Sequence, residues 1–310
     1  MQSSIFRRGT TGMTSRTGRK LVLLARPAVL TNLSNFYSGV RMKNSDNQES
    51  ILSEDSIDSE ATDSAVVSDA VIRSVAELMQ RIRAGRQSEA PFWYRGQSNA
   101  RWPLMPKLAR NKGFLANELS MLKHFKQDAA PRLRDRPTSP WEWIFLAQHY
   151  GLPTRLLDWS ENPLVGAFFA VENDNADMDS PVNGALYELN PDRLNAETTG
   201  DSKGDVIMFD QDVHLEHYLP SEGFVGRLGP MAAIASRSFD RIVAQSGTFT
   251  ITHKDHEIAT VDNPAVTKIM IPAAEKPFFR EDLADLGIRP STVYPDLAHL
   301  AEHVMERHSK

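Results

Sequence analysis

The chain has 310 residues, 24% of them charged and 41% apolar, with a formal net charge of -5. That length holds one large domain or two small ones, and the charge gives no general pull toward nucleic acid or an anionic membrane surface. There is no cysteine, which excludes disulfides, a thiolate nucleophile, Cys-ligated zinc and iron–sulfur clusters.

A reducing, cytoplasmic setting fits a chain without cysteine. No apolar run approaches the roughly 18 residues of a membrane-spanning helix, so no membrane partner is expected. Residues 1–45 carry eight Lys/Arg and no Asp/Glu, and residues 46–70 carry eight Asp/Glu and no Lys/Arg. Both halves are dense in Ser, Thr and Asn. Residues 1–66 therefore read as a disordered tail, basic and then acidic, too poor in apolar surface to offset chain entropy. The basic half fits a plain tail or a start misassigned upstream of Met42, an Arg- and Ser-rich presequence, or a binding arm. "LVLLARPAVL" is a poor signal-peptide core because Arg26 and Pro27 interrupt it. The folded domain is expected over 67–310.

"SDAVIRSVAELMQRIRAG" opens that domain as a helix, with Ser68 as N-cap, Val71, Val75, Leu78, Met79 and Ile82 on one face and an end near Gly85. "FWYRG" follows as an aromatic strand, with Arg95 and Gly96 at its end. "LANELSMLKHFKQDAA" is helical, with Leu119, Leu122 and Phe125 on one stripe. "PWEWIFLAQHYG" is a second helix, Pro140 suiting an early position and Gly151 a C-cap. "LPTRLLDW" reads as a short buried strand. "SENPLVGAFFAVEN" reads as a helix capped by Ser160 or Asn162, and "GALYELN" as a strand. Residues 195–237 read as irregular excursions. "RIVAQSGTFTIT" reads as two short strands around a Ser-Gly turn, and "VTKIMIP" as another strand. "AEKPFFREDLADLGI" and "PDLAHLAEHVMERH" close the chain as helices. Strands and helices do not alternate simply. The expected fold is α+β: mostly antiparallel strands in a central sheet, or in two small sheets, with flanking helices.

Several side chains invite chemistry. Arg95 ends an apolar strand, where a guanidinium either clamps an anion bidentately or pairs internally, for example with Asp158. Gly96 gives room for a ligand or for a bend. "TRLLDWSENP" gathers Arg155, Asp158, Trp159, Ser160 and Asn162 between a strand and a helix start, as a site or as caps and an internal ion pair. Trp159 is a stacking surface or a core residue. His149 ends a helix, where the dipole favours it with or without a site role. Gln148 and Gln245 are pocket ligands or buried bridges. "HLAEH" places His299 and His303 on one helix face, but the segment reads more simply as an amphipathic stripe of Leu297, Leu300, Val304 and Met305, and no metal is expected.

Five blocks taken in order, "YRGQ", "HYGLPTRLLDWSENPLVGAFFAV", "ALYEL", "RIVAQSGTFTI" and "LADLGIRPSTVYPDL", resemble the FRG domain, a mostly bacterial family named for its Phe/Tyr-Arg-Gly motif. The resemblance spans roughly 70–305 of this chain. A second resemblance is to the mono-ADP-ribosyltransferase layout. It implies NAD as substrate, a nucleotide-binding pocket, and ADP-ribosyl transfer to a protein acceptor, or NAD hydrolysis. By that likeness Tyr94, Arg95, Gly96 and Gln97 form the first motif, with Arg95 anchoring NAD. Asp158, Trp159 and Ser160 stand at the second motif, with His149 and Arg155 beside it. The third motif falls at "FDRIVAQSG", where the family's Glu is absent and Asp240 or Gln245 stands nearest. Asp158, Asp240 and Gln245 are thus the candidate catalytic groups. A ligand-binding or sensing module without catalysis is the alternative that the missing Glu favours.

Overall fold

A computed structural model describes residues 70–85, 91–172, 181–200, 205–221, 228–237, 240–253 and 264–309. The chain divides into two units, Met1–Ser59 and Glu60–Lys310, and every described residue belongs to the second. The expected tail over 1–66 and the Ser68 cap lie outside the described residues.

One eight-stranded sheet organises the domain. Its strands are β1 (Ala70–Val71), β2 (Trp93–Gln97), β3 (Leu156–Ser160), β4 (Gly184–Leu189), β5 (Ile207–Met208), β6 (Met231–Ile234), β7 (Gly247–Ile251) and β8 (Val266–Ile271). They lie in the order β1-β8-β4-β2-β3-β7-β6-β5. The two end pairs, β1–β8 and β6–β5, are parallel, and every pairing between them is antiparallel. The expected α+β fold is the one observed, as a single sheet. Among the described residues no helix is long and apolar enough to cross a membrane.

The helices are α1 (Val75–Gly85), α2 (Lys112–Ala116), α3 (Glu118–Ala129), α4 (Pro140–His149), α5 (Pro163–Val171), α6 (Pro191–Thr199), α7 (Asp240–Ala244), α8 (Lys276–Asp285), α9 (Pro290–Val293) and α10 (Leu297–His308). Their ends follow local chemistry. Ser139 and Glu142 form a capping box at the start of α4, and Pro140 occupies its first turn. Gly151, at φ +86° just past the end of α4, takes the left-handed conformation that a side chain resists. Asn162 caps α5 by accepting from the Leu164 amide.

Cross-strand register assigns the side chains to two faces. One face carries two apolar clusters side by side. The first packs Tyr94, Leu186, Ile269 and Ile271 against α1, α5 and α8. The second packs Leu156, Phe249 and Ile251 against α3 and α4. The opposite face buries Trp93, Leu157, Trp159, Tyr187 and Leu189 with Leu194 of α6.

Three sequence expectations change. Val71 is 46% exposed and belongs to β1; α1 starts at Val75, with the Ser74 hydroxyl accepting from the Glu77 amide. "RIVAQSG" is not a strand but α7 and a turn, and only "GTFTI" forms a strand. Val and Ile fit a strand by propensity; here Ser246 at φ +46° reverses the chain after one helical turn. The described residues of 195–237 hold more regular structure than expected: they complete α6 and supply β5, β6 and a 3-10 turn, Val213–Tyr218. Buried Asn195 ties this region down, donating to the carbonyls of Asp205 and Ala232 and accepting from the Ala232 amide.

Candidate functional site

β2 and β3 are neighbours, yet only Tyr94 and Ser160 stand opposite each other in register. Beyond that pair the strands part. The carbonyl of Asp158 accepts the Nη1 of Arg95 at 2.6 Å in place of a ladder bond. A side chain has taken over a backbone partner's role, which keeps the carbonyl satisfied while the sheet opens. The Nε of Arg95 is buried and has no hydrogen-bond partner. Burial pulls this guanidinium down to about 10, against the raising effect of Asp158, and it remains a cation at neutral pH.

The opening lies at the border between the two apolar clusters. Two cavities of about 90 and 150 Å³ share lining residues there. The first lies against α4 and contains Phe145, Gln148, His149 and Phe249. The second lies against α5 and contains Tyr94, Arg95, Ser160 and Phe169. Asp158, Trp159, Arg241 and Gln245 line both.

Asp158 is the exposed residue of a strand whose other four members are buried. Its carboxylate accepts the Gln148 amide at 2.6 Å, and Thr154 donates in turn to Gln148. The second carboxylate oxygen has no partner among the described residues. A carboxylate in mid-sheet, oriented by an amide and open on one side, can hold a hydroxyl or stabilise a cation.

The remaining site candidates have separate structural settings. Gly96 makes room for a helix: a Cβ there would lie 2.1 Å from the Gly166 oxygen and 2.2 Å from the Ala170 nitrogen of α5. Ser160 donates to the Gln245 carbonyl at 2.6 Å and accepts from the Asn162 amide, joining β3 to the α7–β7 turn. Trp159 is buried with its indole N–H on Thr250 at 2.8 Å, so its ring belongs to the core of the opposite face. Gln97 is buried outside both cavities, its amide on the Pro103 carbonyl. Arg155 is not the partner of Asp158. It is buried, forks onto Glu118 through Nε and Nη2, and gives Nη1 to the Tyr218 carbonyl. Asp240 is exposed at the start of α7 and lines neither cavity.

His149 lines the α4 cavity, and its pKa is lowered by desolvation and by Arg241, with Asp240 opposing. Gln245 gives its amide to the Val293 carbonyl at 3.2 Å. His299 of "HLAEH" is engaged with Asp296 and stacked on Tyr294. Among the described residues, no three His, Cys, Asp or Glu gather where a metal ion could sit.

Arg241 escaped the sequence reading. It and Gln245 are four residues apart, the spacing of neighbours on one helix face. That signal disappears once the block is read as strands.

No curated protein and no solved structure gives a match to this chain. The family model of the FRG domain matches residues 90–179, a stretch that holds β2 with Arg95, α4 with His149, β3 with Asp158 and all of α5, and that ends before α7 and the turn after it supply Arg241 and Gln245. The chain is therefore FRG domain-containing, and its cleft is completed by residues beyond the matched stretch.

Proposed function

We propose that the cleft where β2 and β3 part binds a nucleotide of the NAD type, and that its chemistry is the cleavage of NAD, with ADP-ribose passed to water or to a protein acceptor. The observation that carries this reading is the pairing, in one cavity, of an open carboxylate with a guanidinium that keeps an unsatisfied buried N–H. An orphaned buried donor costs about 1–3 kcal/mol, and a phosphate oxygen would relieve it. The order of the sequence blocks, similar to the ADP-ribosyltransferase layout, supports the same ligand.

In this scheme Arg95 holds a phosphate and the aromatic walls hold planar rings. The bond between ribose C1′ and the nicotinamide nitrogen breaks, and its electron pair leaves with neutral nicotinamide. Asp158, oriented by Gln148, stabilises the oxocarbenium-like carbon or holds a ribose hydroxyl. The incoming oxygen forms the new bond to C1′ and releases its proton to solvent. Asp158 thus takes the part that the absent Glu of the third motif would have, and Gln245 contributes an amide at the same junction.

The test is incubation of the full chain with NAD and chromatography of free nicotinamide, beside Arg95→Lys and Asp158→Asn variants of unchanged melting temperature. Release by the wild type, lost in Asp158→Asn, is the expected result. An NAD-induced rise in melting temperature without release would make the cleft a binding module. Neither signal would refute the reading.

A further inference from the structure

Arg241 has a setting that the role proposed for Arg95 leaves unused. It is exposed, it lines both cavities, and among the described residues no hydrogen bond or ion pair engages its guanidinium. What holds it is a ring. The guanidinium carbon stands 5.4 Å from the centroid of Tyr294. Tyr294 is fixed in turn: its hydroxyl donates to Glu172 at 2.8 Å, His299 stacks on it at 4.6 Å, and Phe168 and Phe169 meet it edge-on.

A carboxylate partner would have consumed two of the guanidinium's five N–H donors; a ring face orients the group and leaves all five available. The neighbouring backbone repeats the arrangement, since the Val293 carbonyl holds Gln245 on the same side of α7. Arg95 and Arg241 both line one cavity, where a ligand with two anionic groups can touch both.

We infer that Arg241 is a second anion-binding residue, that Tyr294 is its positioning residue, and that the cleft selects ligands with two linked anionic groups, a diphosphate bridging Arg95 and Arg241. This rests on the proposed role of Arg95 but not on NAD being the ligand. A mononucleotide carries a single anionic group and engages Arg95 alone.

The experiment is calorimetric titration of the full chain with inorganic phosphate and with inorganic pyrophosphate at one pH and ionic strength. Pyrophosphate binds the wild type about tenfold or more tightly than phosphate, the scale of one added charged hydrogen bond. In Arg241→Gln, an exposed substitution, pyrophosphate binds no more tightly than phosphate. Tyr294→Leu loses part of the preference, and Tyr294→Phe, which keeps the ring, retains it. Equal affinity of the wild type for the two anions, binding of neither, or an unaltered preference in Arg241→Gln would each overturn the inference. NAD titrated in parallel separates the two claims. Pyrophosphate preference through Arg241 without NAD binding sustains the diphosphate site and removes the NAD reading. NAD binding lost in Arg95→Lys but intact in Arg241→Gln does the reverse.

Discussion

At the α5–β2 seam the helix lies so close that a Cβ on Gly96 would stand 2.1 Å from a backbone oxygen, whereas across the Tyr94–Ser160 pair the sheet stays open and Asp158 is exposed. The two regions share one sheet face and adjoin each other. The same contrast recurs between two charged residues three positions apart. Arg155 is buried and has Glu118 and the Tyr218 carbonyl as partners; Asp158 has one amide and an open side. Close packing on one side fixes the strand ends so that the other side can hold an uncovered carboxylate in register.

The largest expected effect falls on the closed side. Glu118→Ala leaves the Arg155 guanidinium buried without its anion, and such losses cost about 3–5 kcal/mol; urea unfolding reads it directly, and an unchanged midpoint would break the contrast. Gly96→Ala forces α5 away from β2 and costs about 1–3 kcal/mol or more by overpacking, again seen in the unfolding midpoint. On the open side the pattern reverses. Asp158→Asn costs less stability than either of these substitutions, while release of nicotinamide from NAD disappears.

The smallest effect is a pH dependence. The pKa of His149 in the folded chain lies below its ordinary 6.5, chiefly through desolvation and secondarily through Arg241. Between the two values the unfolded state binds the extra proton, so stability rises with pH through that window and falls as pH drops from about 6.5 toward the folded value. His149→Gln flattens that part of the stability profile, measured by unfolding midpoints from pH 7 to 5.

Much of this contrast was legible in the chain. A cation after three aromatics marked Arg95, although β2 runs on to Gln97, and the polar residues before an Ala/Phe-rich helix marked Asp158, although it stands in the middle of β3; each breaks an apolar pattern at a point where the sheet must accommodate it. The role of Gly96 was undecided until α5 was seen to cross it. Arg155 looked like the partner of Asp158 by proximity in sequence, but it stands just before β3, and its partner is Glu118 of α3. Arg241 and Tyr294 were missed for another reason. They meet across 53 residues of sequence through a ring face, and no local pattern encodes that contact. The strands β5 and β6 were hidden by their brevity and by the Gly, Pro and Asp residues around them.

The central claim is that the parted strands, and not the closed seam, hold the ligand. Hydrogen–deuterium exchange of the full chain with and without NAD tests it most directly. The account predicts slower exchange in β3, α7 and the turn before β7, with no change around Arg155. Slowing confined to the seam, or none anywhere, would contradict it.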